Sequence, residues 1–363
     1  MSRFSLTKSF FVPERMNMEG VGVDLSEVSL RFVKITGNGK KGFDVLNFGE
    51  YKIPDGVISL GQIEKPEVLR DILIRFKNEH DIQFVHASLP ESIAYLSEME
   101  IPRTKDGDLY ESIELQLEEH VPINLDDAAF DYEIIDTGNK RSDVIKMMVS
   151  ATQKKNVQAY QDIFSSAGIT LLSLETDATA LLRVVIPKGS QETTLILDMG
   201  RTKTGVYIVS KGIVSFVSDI EIGGKDIIAA IMKDSVLTIE EVKEMYKKLE
   251  QNEKPEDKRN YEIVLRVFSD IKEEVNKHFI FWNTYKDKNG QKKDKIEKII
   301  LCGSGATIFG LQEYLSSELK IPVEIANVWG NLFSFDDTIP EISFHDSLLY
   351  STAIGLSLYT HWE

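Results

Sequence analysis

Residues 20–35, GVGVDLSEVSLRFVKI, and residues 194–209, TLILDMGRTKTGVYIV, share one grammar. Each is an apolar strand ending on an Asp, then a tight turn with small hydroxyl residues, then a second apolar strand. One such hairpin constrains little, because Asp is common at turns. Two of them about 175 residues apart predict a duplicated α/β unit in which each half lends an Asp, Asp24 and Asp198, to a shared cleft.

The segments after each hairpin support the duplication. FDVLNFGEYKI (43–53) alternates as a third strand. Pro66–His80 reads as an amphipathic helix with Val68, Leu69, Ile72, Leu73 and Phe76 on one face and Pro well placed at its start. FVHASL (84–89) has the composition of a buried strand. Residues 91–149 read as a small α+β insert: a strand ending at Pro102, a helix over 108–120 with Leu109, Ile113, Leu115 and Leu117 on its apolar side, and two further strands. A helix over 153–167, the strand LLSLE and the helix DATALLRVV resume the first half. The second half opens at Thr193 with three strands, then a helix at GGKDIIAAIM, charged helices over 238–286 and the strand KIIL. A helix at TIFGLQEYL, the strand VEIAN and an apolar helix around Ser347–Tyr359 complete it.

Bulk properties narrow the function. With 42 basic and 58 acidic residues the net charge is −16, which excludes a broad nucleic-acid surface, since phosphate backbones demand clustered Lys and Arg. Local phosphate binding through backbone N–H groups and a metal stays open. The single cysteine, Cys302, excludes a disulfide framework and fits a reducing compartment. No run approaches a membrane span of about 20 apolar residues, so the expected location is cytoplasmic. Residues 1–19, mixing Phe4, Phe10 and Phe11 with Arg3 and Lys8, read as a flexible leader. The six histidines show no metal spacing, and neither a Walker A loop nor GxGxxG is present.

The candidate site follows from the strand ends. A carboxylate there gains nothing from packing but holds magnesium well, through water because that ion dehydrates reluctantly. The turn behind it presents backbone N–H groups to phosphate oxygens. In the second turn Gly200 allows close approach, and Thr202 and Thr204 offer hydroxyls. Gly223 and Gly224 open a helix whose N-terminus favours phosphate. Gly303, Ser304, Gly305 and Ala306 form a small-residue strand-to-helix turn on which an adenosine face can lie flat. Glu240 and Lys243, at i and i+3, are placed to reach ribose and adenine, or else form a solvated ion pair.

These blocks, in this order, resemble the actin/chaperone/sugar-kinase ATPase superfamily, and within it the PilM family of type IV pilus assembly proteins, related to the division protein FtsA. Four segments carry the narrower resemblance: ASLPESIAYLSEMEIP (87–102), IELQLEEHVPINLDDAAFDYEII (113–135), LETDATALLRVV (174–185) and YSTAIGLSLY (350–359). Asp24 falls on the first phosphate-loop Asp and Ser29 on a hydroxyl position of that loop, while Ser26 stands where Gly is usual and Glu27 where a small residue is common. Asp198 to Gly200 fall on the second phosphate loop, Glu240 and Lys243 on the adenosine helix, and Gly303 to Ala306 on the adenosine loop.

The resemblance implies a two-lobed actin-like ATPase fold of duplicated ribonuclease-H-like domains. Its first lobe would comprise 20–90 and 150–191, interrupted by the insert 91–149. The second lobe would comprise 192–222 and 296–363, with a helical subdomain at 223–295. It implies ATP and Mg²⁺ as ligands, with Asp24 and Asp198 holding the metal. Glu175 and Asp177 are the candidates to position a hydrolytic water, and turnover is expected to be slow or absent. The implied role is a cytoplasmic scaffold of the pilus inner-membrane platform that docks the N-terminal peptide of a PilN-like membrane protein near the insert and can self-associate. The alternatives are an FtsA-like polymer-forming division protein and a small-metabolite kinase.

Overall fold

In a computed structural model the described residues are 20–38, 42–102, 109–136, 144–255, 257–286, 290, 292–336 and 338–361. The leader 1–19 lies outside them. Alternation builds the first sheet. Strands β1 (Val21–Leu25), β2 (Ser29–Asn38) and β3 (Gly42–Lys52) form an antiparallel meander. A two-residue ribbon, β4 (Ile58–Ser59) with β5 (Gln62–Ile63), precedes helix α1 (Pro66–His80). Strand β6 (Phe84–Leu89) then lies parallel to β1.

The insert is a three-stranded antiparallel sheet, β7 (Ala94–Pro102), β8 (Ala128–Asp136) and β9 (Val144–Gln153) in the order β7-β9-β8, carrying α2 (Leu109–His120). Leu115, expected on the apolar side of α2, is 73% exposed; Ile113 and Leu117 face the insert core with Met99, Met147 and Val149. At i+2 from Ile113, Leu115 is rotated about 200° around the helix and cannot share its stripe. After α3 (Lys154–Ser166), β10 (Thr170–Thr176) pairs parallel to β6 and α4 (Asp177–Val185) follows directly.

The second sheet repeats the topology of the first. Strands β11 (Thr194–Met199), β12 (Thr204–Ser210) and β13 (Ile213–Ile220) form the meander. Helices α5 (Gly224–Asp234), α6 (Ile239–Glu250) and α7 (Lys258–Thr284) come next. β14 (Lys298–Cys302) adds parallel to β11 and, after α8 (Leu311–Leu319), β15 (Val323–Ile325) adds parallel to β14. The orders β10-β6-β1-β2-β3 and β15-β14-β11-β12-β13 correspond strand for strand.

The expected helix at TIFGLQEYL begins only at Leu311, because Gly310 at φ 81° interrupts it. The expected C-terminal helix is also shorter: α9 (Phe344–Ser347) and a 3₁₀ turn lead into α10 (Ser351–Ser357). On the first sheet Val21, Val23, Leu25, Phe32 and Val85 face α1 and α3. The opposite face, bearing Gly22 and Asp24, receives α10 and α4.

Candidate functional site

Each sheet carries a row of charge across its meander. In the first, Asp24 stands opposite Arg31 on β2, and Arg31 opposite Glu50 on β3, with Arg31 Nη2 at 2.9 Å from Glu50 Oε1. In the second, Asp198 stands opposite Gly205, and Gly205 opposite Asp219. Here the cation comes from the turn: Lys203 Nζ lies 2.5 Å from Asp219 Oδ2. Both halves thus present a strand-tip Asp, a cation and an outer carboxylate.

The carboxylates of the two strand tips act on each other's charge. Burial is the largest cause that lifts Asp198 to about 6, and the Asp24 charge is the next. Burial lifts Asp24 too, against the Arg31 charge and the Ser88 hydroxyl that donates to its Oδ1 at 3.4 Å. Asp177, at the start of α4, is raised well above its ordinary value by burial and then by Asp24, Glu91 and Asp198. Its Oδ1 is buried without a partner. Glu91, not singled out from the sequence, completes the group. Its Oε1 accepts the Ala178 N–H at 2.9 Å, and burial pushes its carboxyl up to about 7. The available signal was the one that marked Asp24 and Asp198: Glu91 comes two residues after the buried strand β6. Four carboxylates against Arg31 and Lys203 leave the site short of positive charge, and a divalent cation would supply it. Among the described residues no three such side chains converge to chelate a bare ion.

The loops around Asp198 are stitched together. The N–H groups of Gly224 and Lys225 donate to the carbonyls of Gly200 and Arg201 at 3.1 and 2.9 Å. The N-terminus of α5, expected to offer these amides to phosphate, therefore spends them on the turn itself. The Thr204 hydroxyl donates to the Ile222 carbonyl at 2.7 Å, and Thr202 is half-buried. Gly303, at φ +79°, is required: a Cβ there would stand 2.3 Å from Asp198 Oδ1. Gly305 N–H and the Ser304 hydroxyl both donate to the Met199 carbonyl, and Ala306 is buried beside them.

In the first turn the Ser26 hydroxyl donates to the Ser29 carbonyl at 3.0 Å, and Ser29 is buried. Glu27 is drawn aside by the Leu60 N–H at 2.7 Å. Glu240 and Lys243 lie exposed on α6, whose inward side presents Tyr246 to Gly224 instead.

Glu175 goes elsewhere. Its Oε2 is 2.5 Å from Arg183 Nη2, inside a groove of about 560 Å³. One wall of the groove is the outer face of the insert sheet, with the cross-strand rows Ala94–Thr152–Ala129 and Leu96–Ser150–Asp131. The other is β10, supported by α4, and Gly212, in the turn after β12, and Val214 of β13 also line the groove. The structure thus brings Asp177, and not Glu175, to the Asp24–Asp198 pair.

The family model described as type IV pilus assembly protein PilM matches residues 22–361. A solved PilM–PilN type IV pilus biogenesis complex superposes with a TM-score of 0.76 at 18% identity, covering 94% of this chain and 98% of that one. The ethanolamine utilization protein EutJ of Carboxydothermus hydrogenoformans gives a TM-score of 0.53 at 15% identity, covering 94% and 89%. MreB5 of Spiroplasma citri bound to ADP gives 0.54 at 14%, covering 93% and 95%. The fold is the two-lobed actin-like α/β architecture.

Proposed function

The chain belongs to the PilM family of type IV pilus assembly proteins, and from that premise we propose that it is a nucleotide-regulated scaffold. It binds ATP–Mg²⁺ between its lobes and docks the cytoplasmic N-terminal peptide of a PilN-like membrane protein in the groove beside the insert. In this reading the first lobe comprises 20–90 and 150–191 with the insert 91–149, and the second comprises 192–363, whose late helix α10 packs on β1 and α4. Among the described residues no helix is long and apolar enough to cross a membrane; in this reading the partner supplies attachment to the inner membrane.

In this reading Asp24 and Asp198 hold the metal through water. The unpartnered Asp177 Oδ1 and the Asp198 carboxylate resting on Gly303 fit such a complex. When bound, the magnesium supplies the positive charge that the buried carboxylates lack. Arg31 and Lys203 orient phosphate oxygens, and Gly303 to Ala306 floor the nucleoside. Asp177 is the residue placed to position a water, and turnover is slow or absent because Asp177 is surrounded by like charge.

The observation that carries the regulated reading is the spacing of Glu175 and Asp177. They are two residues apart, one opening on the groove and the other on the paired strand tips. Calorimetry of the PilN-like N-terminal peptide, with and without ATP–Mg²⁺, tests it. The reading predicts peptide binding whose affinity changes with nucleotide. No binding in either state overturns the scaffold role. Asp24→Ala with Asp198→Ala abolishes magnesium-dependent ATP binding, and unaltered nucleotide affinity in that double variant removes the site.

A further inference from the structure

The last turns of α7 carry two faces. Val275 and Trp282 are buried in the core, while Lys277, Ile280, Phe281 and Thr284 lie on the opposite side at helical spacing. Ile280 is 54% and Phe281 50% exposed. The Phe281 ring lies against Phe216 of β13 and against Tyr285, with centroids 5.7 and 5.9 Å apart, so the aromatic surface continues past the helix end. Contiguous exposed apolar side chains of this kind mark a contact surface.

Positive charge surrounds them. Residues 277–295 hold six Lys against two Asp, in a chain whose net charge is −16. Lys286 and Lys292 face each other across an antiparallel bridge, next to Tyr285, and are exposed. Neither has an ion-pair partner among the described residues. Lys277 pairs with Glu274 at 2.6 Å on the open surface, where such a pair contributes little. Lys293 is committed: it is ion-paired with Glu98 of β7 and lies over the Trp282 and Tyr285 rings, which fixes the turn against the insert.

Strand β13 joins this surface to the groove. Val214 lines the groove; the register then slips, leaving Ser215 unpaired, and Phe216 meets α7. The groove's own cation is already engaged. Arg183 holds Glu175, its Nε donates to the Gly355 carbonyl at 2.9 Å, and its guanidinium lies against the Tyr359 ring. Open positive charge beside the groove comes from the turn after α7.

We propose that the end of α7 and the turn after it rest on an anionic lipid surface. Ile280, Phe281 and Tyr285 enter the headgroup layer, and Lys277, Lys286 and Lys292 meet lipid phosphates. Aromatic rings favour the boundary between water and acyl chains, and lysine stems lie along apolar surface while the ammonium stays among headgroups. The choice of a lipid surface over an acidic protein rests on the docking reading, because a membrane protein's segment held in the groove brings β13 and α7 to the bilayer. The lipid contact then adds to the affinity of the peptide by effective concentration.

Flotation of the full chain with vesicles, in the absence of the partner, keeps the two readings separable. The expected result is flotation with mixed phosphatidylcholine and phosphatidylglycerol vesicles, none with phosphatidylcholine alone, and release by high salt. Lys286→Gln and Lys292→Gln should each weaken partition about fivefold, the size of one lysine at an anionic surface. Phe281→Ser with Tyr285→Ser should abolish flotation at a near wild-type melting temperature. Trp282 and Trp329 are buried, so Phe281→Trp reports on the surface itself, and its emission should shift to the blue on mixed vesicles. Equal flotation with neutral vesicles, flotation that survives the Phe281 and Tyr285 changes, or no flotation overturns the inference and leaves the docking reading standing. Capture of polyglutamate through Lys286 and Lys292 by a chain that ignores vesicles assigns the surface to an acidic protein and overturns it likewise. A PilN-like peptide that fails to bind a chain that still floats removes the docking reading and leaves the lipid contact standing.

Discussion

At the scale of single residues the decisive quantity is the cost of burying carboxylates. Asp198 keeps its proton to about 6 in the folded chain against an ordinary value of 3.8. The folded state therefore binds more protons than the unfolded one in between, and this contribution to stability falls as pH rises from about 4 through 6. Glu91, raised from 4.5 to about 7, extends the same trend to near neutrality. Asp198→Asn removes the charge at nearly constant shape. It is expected to raise stability by about 3 kcal/mol at pH 8 and to leave it nearly unchanged at pH 4. Thermal unfolding at the two pH values reads this directly, and equal melting of variant and wild type at pH 8 contradicts it. Magnesium with ATP should stabilise the wild type more than the variant, because the bound ion relieves the repulsion that the Asn never had.

Elements depend on contacts between segments distant in the chain. Helix α10 lies on both β1 and α4. The space a Gly355 side chain would need is taken by the Ala180 carbonyl, 2.0 Å from an ideal Cβ. In a free helix Gly→Ala stabilises by about 1 kcal/mol. Here the clash is with backbone, which cannot swing aside, and overpacking costs about 1–3 kcal/mol. Gly355→Ala is thus expected to destabilise in urea titrations, reversing the sign that helix propensity gives.

The step from β10 to α4 carries the Glu175–Arg183 pair. Arg183 is 5% exposed, so Arg183→Met strands the Glu175 charge and should cost about 3–5 kcal/mol. Arg183→Met with Glu175→Leu should recover most of that loss. A double variant as unstable as the single one would mean that the guanidinium works chiefly through Gly355 and Tyr359.

For the whole molecule the consequence is linkage. The groove is walled by the insert and β10 and is also lined by Gly212 and Val214, from the β12–β13 hairpin of the second sheet. Because both sheets line the groove, a change in the angle between them would alter it, and under the docking proposal a segment filling it would bias that angle. Whatever factor ATP–Mg²⁺ applies to peptide affinity, the peptide must apply to nucleotide affinity. Titrations in both orders should give the same factor, and a factor of one in both would separate the two sites.

Much of this was legible in the chain because it is written in local spacing. Alternation at two residues marked the strands from Val21 to Lys52 and from Thr194 to Ile220, and the i, i+3, i+4 stripe with Pro66 marked α1. Aspartates ending the first strand of two like hairpins marked two positions whose charges the fold brings to act on one another. What local spacing cannot encode is which distant segments meet. Register set Arg31 between Asp24 and Glu50, and a parallel neighbour brought Glu91 to Asp177. Tertiary packing alone committed the first amides of α5 to the Gly200 turn and sent Glu175 and Asp177, neighbours but one in sequence, to opposite sites. Side-chain period is a property of a few consecutive residues, whereas the company a charge keeps is decided when strands 60 or more positions apart come into register.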